Sequence, residues 1–203
     1  MRFNFNNPIS IICAILLVLL VIYSLVEYFL RGAAFKKGEH GKQFVTDTLK
    51  RFASPRKMTV LENVSVNDGE NTVTFDHVLI GYFGVLFVQA IQGGGSFWGD
   101  GKEDVWAFTD GDDKVLFKNP IGELNEKIRV FRRALSYNKI YRVPVESAVV
   151  IVTMGKEPKL YLSNLAESEC QVMTQEMFKA HLNEEFEKDN GVDTEALTAL
   201  FTK

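Results

Sequence analysis

Phe75-Asp76-His77-Val78-Leu79-Ile80-Gly81-Tyr82-Phe83-Gly84-Val85-Leu86-Phe87-Val88-Gln89-Ala90-Ile91 decides the fold of this chain. Two runs of aliphatic, β-branched and aromatic residues flank a turn that carries Gly81 and Gly84, the pattern of two strands joined by a tight connection. Just upstream, Met58 to Val66 has the same composition and ends at Asn67-Asp68-Gly69, a turn sequence. The expectation is a meander of three strands: Met58 to Val66, Asn71 to Ile80 and Gly84 to Ile91.

Further out, the period changes. Ala34 to Phe52 places Gly41, Val45, Leu49 and Phe52 on one helical face, and Ser54-Pro55 closes it. Downstream, Asn119 caps a second helix with Pro120 at its first position, and Leu124, Ile128, Phe131 and Leu135 recur at helical spacing. Pro144 then precedes Val145 to Val152, a β-branched run that reads as a buried central strand. Helix, three-strand meander, helix and strand make an α+β core. Trp106 to Phe108 and Val115 to Phe117 form a short hairpin around Asp110-Gly111, with Asp112-Asp113 as turn chemistry and not a calcium site. Gln171 to Met173 is a short strand, followed by a helix capped by Thr174 with Met177, Phe178, Leu182 and Phe186 as its apolar stripe.

The glycine-rich stretch Gln92 to Gly101 leads to Lys102-Glu103 and not to Gly-Lys-Ser/Thr, so it is no phosphate-binding P-loop; its reading is a loop with close backbone packing.

At the N-terminus, Ser10 to Leu30 is almost unbroken in apolar residues, with Glu27 its only charge, which is about the length a helix needs to cross a bilayer. A cleaved signal peptide, with Ala33 and Ala34 near the cut, is the rival reading. Arg31, Lys36, Lys37 and Lys42 follow the span and only Arg2 precedes it, so the positive-inside rule places the soluble part in the cytoplasm of a single-pass membrane protein. The expected organisation is a short segment 1–9, a transmembrane helix 10–30, a basic juxtamembrane segment 31–37, a domain 38–155, and an acidic helical extension 156–203 packed on it. Cys13 lies in the span and Cys170 is the only thiol beyond it, which excludes an intramolecular disulfide in the soluble part. His40, His77 and His181 are scattered, which excludes a Cys/His zinc cluster.

Four landmarks, Gly38-Glu39-His40-Gly41, Phe75-Asp76-His77-Val78, Gly84-Val85-Leu86-Phe87-Val88 and Asn119-Pro120-Ile121, resemble in order and spacing the NERD or nuclease-related domain of the PD-(D/E)XK superfamily. The resemblance spans residues 38 to 152 and implies a restriction-endonuclease-like core with a Mg²⁺-dependent site. There an acid of the second strand and an acid-x-Lys pair of the third would converge on the metal, which positions water and neutralises charge on a scissile phosphate. By that resemblance Asp76 is the strand acid, Glu39 a further carboxylate from the helix, and Gln89 a ligand through its amide oxygen. Ile91 stands where the family has lysine, and it can neither donate a proton nor stabilise charge. Lys102 and Lys114 are the nearest later lysines that could have taken over. His77, next to Asp76 along a strand, is expected to face the other way and to be structural.

Structural readings stand beside these: Asp76 as a hydrogen-bonded strand residue, and Glu39 as a first-turn acid favoured by the helix dipole. Lys127, Arg129, Arg132 and Arg133 on the second helix are either a phosphate-facing patch or a solvated face. Three functions follow: a membrane-tethered nuclease-like domain that binds nucleic acid or a protein partner with hydrolysis lost or weakened, an active Mg²⁺-dependent endonuclease, or a membrane-associated interaction protein without nucleic acid.

Overall fold

A computed structural model describes residues 16–23, 38–165, 169–186 and 189–202. The chain divides into two compact units, Met1–Glu39 and His40–Lys203. In the first, residues 16–23 are helical, and every one of them is an apolar or tyrosine side chain between 48% and 67% exposed. The remainder of the expected span 10–30, the segment 1–9 and the basic segment 31–37 lie outside the described residues. Among the described residues no helix is long and apolar enough to cross a membrane.

The second unit is built on α1 (Glu39–Ala53), β1 (Thr59–Asn67), β2 (Thr72–Gly81), β3 (Gly84–Gln92), α2 (Pro120–Tyr137) and β7 (Val145–Val152), the expected order of helix, meander, helix and strand. Between β3 and α2 lie β4 (Ser96–Asp100), β5 (Val105–Asp110) and β6 (Asp113–Lys118); after β7 come β8 (Lys159–Ser163), β9 (Cys170–Thr174), α3 (Gln175–Glu185) and α4 (Thr194–Thr198). The first sheet runs β1-β2-β3-β7-β9, antiparallel through the meander and parallel from β3 onward. The second runs β6-β5-β4-β8, with β8 parallel to β4.

Both faces of the first sheet are covered. On one, Val45, Leu49 and Phe52 of α1 and Phe178 and Leu182 of α3 pack against Leu79, Leu86, Val88 and Val150. On the other, Leu124, Ile128, Phe131 and Leu135 of α2 pack against Val78, Ile80, Val85, Phe87 and Val149, joined by Trp106 from the second sheet. Strands buried on both faces read as continuous apolar runs, as Gly84 to Val88 of β3 and Ala148 to Val152 of β7 do. At the free edge, Thr202 pairs backbone to backbone with Ser65 of β1, with N–H···O distances of 2.7 and 2.9 Å, so the end of the chain covers part of that edge strand.

Three local readings change. The glycine-rich stretch is not all loop: Ser96–Asp100 is a strand, and its glycines serve packing, since a Cβ at Gly99 would collide with the Trp106 indole. Residues 156–203 are not only helical, because Lys159–Ser163 joins the second sheet and Cys170–Thr174 completes the first. Met177, placed on the apolar stripe of α3, is 54% exposed, whereas Phe178 and Leu182 are buried. By contrast, Asn119 caps α2 as expected: its Oδ1 accepts from Ile121 N at 2.9 Å and its Nδ2 donates to the Glu103 carbonyl at 2.7 Å, tying the helix start to the loop after β4.

Candidate functional site

β2 and β3 are paired from Gly81–Gly84 only as far as His77–Val88, while β2 continues along β1 and β3 along β7. The two strands therefore part at Asp76 and Gln89, the positions after the last pair. A second irregularity sits at the same place. Phe75 and Val78 belong to one core although three positions apart, so side-chain alternation breaks between them. Asn63, facing this point on β1, takes a left-handed φ of 49° and drops out of the ladder, which runs from Glu62–His77 to Val64–Phe75.

The break changes where two side chains go. Asp76 and His77 both reach α1: Lys42 Nζ lies 2.7 Å from Asp76 Oδ1, and His77 Nε2 lies 3.1 Å from Thr46 Oγ1, one helical turn further on. The expectation that His77 faces away from Asp76 is thus corrected, because simple alternation does not hold across a kinked pair of strands. Thr46 donates its single hydroxyl proton to Glu62 Oε2 at 3.0 Å and so accepts from His77, which fixes the Nε2–H tautomer. Lys50 closes the chain on Glu62 Oε1 at 2.6 Å and holds that carboxyl below its ordinary pKa. Burial pushes the His77 imidazole below its ordinary pKa, against the pull of the Asp76 and Glu62 carboxylates. His77 is a neutral, buried link between β2 and α1.

Beyond the fork, β3 keeps its alternation. Phe87 and Ile91 pack in the core beneath α2, whereas Val88 and Ala90 pack beneath α1. Gln89 falls in register with Phe87 and Ile91, and its Oε1 is buried without a hydrogen bond. The β3 residue that does meet α1 is Gln92, whose Oε1 accepts from Gly41 N at 3.0 Å; Gly41 lets the helix come this close, since a Cβ there would touch Gln92 and Val152 at 3.4 and 3.6 Å. Glu39, the first residue of α1, is exposed.

This set does not fit a divalent metal. A site for Mg²⁺ needs converging carboxylate oxygens. No hydrogen bond joins Asp76 to Gln89, Asp76 is already neutralised by an ammonium, and among the described residues no group of three or more His, Cys, Asp or Glu is placed to hold an ion. Ile91 supplies packing. Lys102 and Lys114 belong to the turn after β4 and to β6, and neither pairs with Asp76.

Lys42 and Gln92 are the residues that sequence reasoning missed. Lys42, Thr46 and Lys50 repeat every four residues along the apolar stripe of α1, a polar border that could have marked them. On α2, three of the four basic candidates are engaged: Lys127 with Glu123 at 2.9 Å, Arg132 with Glu169 at 2.7 Å and Arg133 with Asp68 at 2.6 Å; Arg129 makes no ion pair among the described residues. Asp68 is held down at a pKa of about 2 by the Asn71 backbone N–H first and by the Arg133 guanidinium next.

The sequence profile of the nuclease-related domain, NERD, matches residues 37–152, more than half of the chain. The chain belongs to that family, whose general kind of fold is the PD-(D/E)XK core. No curated protein and no solved structure gives a significant match.

Proposed function

We propose that this member of the nuclease-related domain family is a membrane-anchored nucleic-acid-binding protein whose phosphodiester hydrolysis is lost or greatly weakened. The observation that carries the proposal is the Lys42–Asp76 ion pair at 2.7 Å, formed at the strand fork where the family's acid stands. With isoleucine at the lysine position, glutamine at the adjoining acid and Glu39 exposed at the start of α1, Asp76 is left as the strand acid, and an internal cation already compensates it. Anchoring is supported by the apolar run 10–30, of which residues 16–23 are helical and exposed. The excess of basic residues after the run supports a cytoplasmic domain, by the positive-inside rule.

A second reading, an active Mg²⁺-dependent endonuclease, has one observation in its favour: Gln89 Oε1 is buried and unpartnered, as a ligand oxygen awaiting a cation would be. The two separate in one assay. Supercoiled plasmid is incubated with the purified chain and Mg²⁺ or Mn²⁺, comparing wild type, Asp76→Ala and Ile91→Lys. The proposal expects no nicking by wild type or Asp76→Ala. Metal-dependent nicking by wild type that disappears in Asp76→Ala would overturn it in favour of the second reading. Salt-sensitive binding of DNA by wild type in the same preparation is the accompanying expectation; no binding at low salt would leave a protein partner in its place.

A further inference from the structure

The outer face of the second sheet carries a pattern that the nuclease-type site does not use. Phe97 and Trp106 point inward and are buried, so the alternate residues point outward. Strand register then sets the outer face in rows across β6, β5, β4 and β8: Leu116, Ala107, Trp98 and Tyr161 in one, and Lys114, Thr109, Ser96 and Lys159 in the next. Trp98 and Tyr161 stack face to face, with ring centroids 4.0 Å apart and planes at 11°, yet remain 46% and 49% exposed. Trp98 is pinned upright by its Nε1 donating to Thr109 Oγ1 at 3.3 Å. Each ring spends one face on the other.

Lys114 and Lys159 stand in the row beside this stack and make no ion pair among the described residues, unlike Lys127, Arg132 and Arg133 of α2. Three strand spacings separate them, about 14 Å. A half-exposed aromatic stack bordered by unpaired ammonium groups is the chemistry that takes bases on ring faces and phosphates on lysines, and it suits a strand whose bases are unpaired. A duplex would hide its base faces from these rings.

We infer that the outer face of the second sheet binds single-stranded nucleic acid, with bases stacking on Trp98 and Tyr161 and the backbone following Lys114 and Lys159. The inference rests on the nucleic-acid-binding reading above but assigns it to a surface remote in sequence from Asp76.

The chain has two tryptophans, and Trp106 is 1% exposed, so quenching of tryptophan emission by an added oligonucleotide reports on Trp98. The full chain is titrated with oligothymidylate and with a duplex of equal length at low and moderate salt. Expected are quenching by the single strand, loss of that quenching in Trp98→Phe, and affinity reduced about tenfold or more in Tyr161→Ala but retained in Tyr161→Phe, since an exposed stack contributes through the ring face. Lys114→Glu with Lys159→Glu should lower the salt slope by about 1.4, two phosphate contacts' worth for a single strand. Binding of either nucleic acid without quenching, and with Tyr161→Ala neutral, overturns this assignment while leaving nucleic-acid binding in place. Failure of both to bind at low salt overturns the assignment and the binding reading together.

Discussion

The first sheet buries Gly84 to Val88 of β3, with α1 and α3 on one face and α2 with Trp106 on the other. The second sheet hides only its inner face and leaves Trp98, Leu116 and Tyr161 about half exposed or more. Within the first sheet, the residues around Asp76 are largely paired internally, Lys42 on Asp76, Thr46 between His77 and Glu62, and Gln92 Oε1 on Gly41 N, although His77 Nδ1, Gln89 Oε1 and Gln92 Nε2 are buried without a hydrogen bond. Within the second, Trp98 and Tyr161 are held by their mutual stack while remaining about half exposed to solvent. An ion-paired carboxylate has less to offer a ligand than an exposed side chain, and so the landmark that carries a family resemblance need not be where a domain binds.

Truncation should separate the sheets most sharply. Phe87 is fully buried and packs on Phe75 and Phe131 at 4.1 and 4.9 Å, so Phe87→Ala is expected to cost about 3–5 kcal/mol in denaturant unfolding. Leu116→Ala on the open face should stay within about 0.5 kcal/mol. Equal effects would mean that the outer face is covered in the folded protein.

A smaller effect is expected at the link between β2 and α1. Thr46→Val keeps the shape but leaves His77 Nε2 and a Glu62 oxygen without their partner, a loss of about 1–2 kcal/mol in the same unfolding experiment. A neutral Thr46→Val would show that water replaces the hydroxyl.

The smallest effect is a pH dependence. His77 has its pKa lowered by burial, so the unfolded chain binds a proton more readily than the folded one. Stability should therefore be full above an unfolded-state pKa of about 6.5 and decline as pH falls below it toward the folded value. The decline should flatten in His77→Gln. A wild-type profile that rises on acidification through this window would contradict the neutral, buried assignment.

How much of this was legible in the sequence depends on which periodicity carried it. α1, α2 and β7 announce themselves because their apolar residues recur with one period over many positions, and Val45, Leu49, Phe131 and Val149 are all buried. Ser96–Asp100 is hidden in the sequence because glycines near Trp98 read as a loop, when Gly99 makes room for Trp106 and Gly95 for the Thr109 backbone on the neighbouring strand. Lys159–Ser163 was hidden because its partner was that unrecognised strand. At the candidate site, Asp76, Gln89 and Ile91 could be located by their spacing, but the Asn63 kink that turns His77 toward α1 has no local signature beyond a residue type that tolerates positive φ. Nor does a strand sequence say that a lysine from α1 will sit on Asp76; that is a tertiary meeting of residues 34 positions apart.

The central claim is that an ammonium stands where the family would place a metal, and titration of the full chain with Mn²⁺, followed by calorimetry, tests it most directly. The account predicts that wild type and Asp76→Ala give the same trace, with no binding that depends on Asp76. A wild-type site for Mn²⁺ that vanishes in Asp76→Ala would contradict it, since Lys42 would then have to yield the carboxylate to a cation from solution.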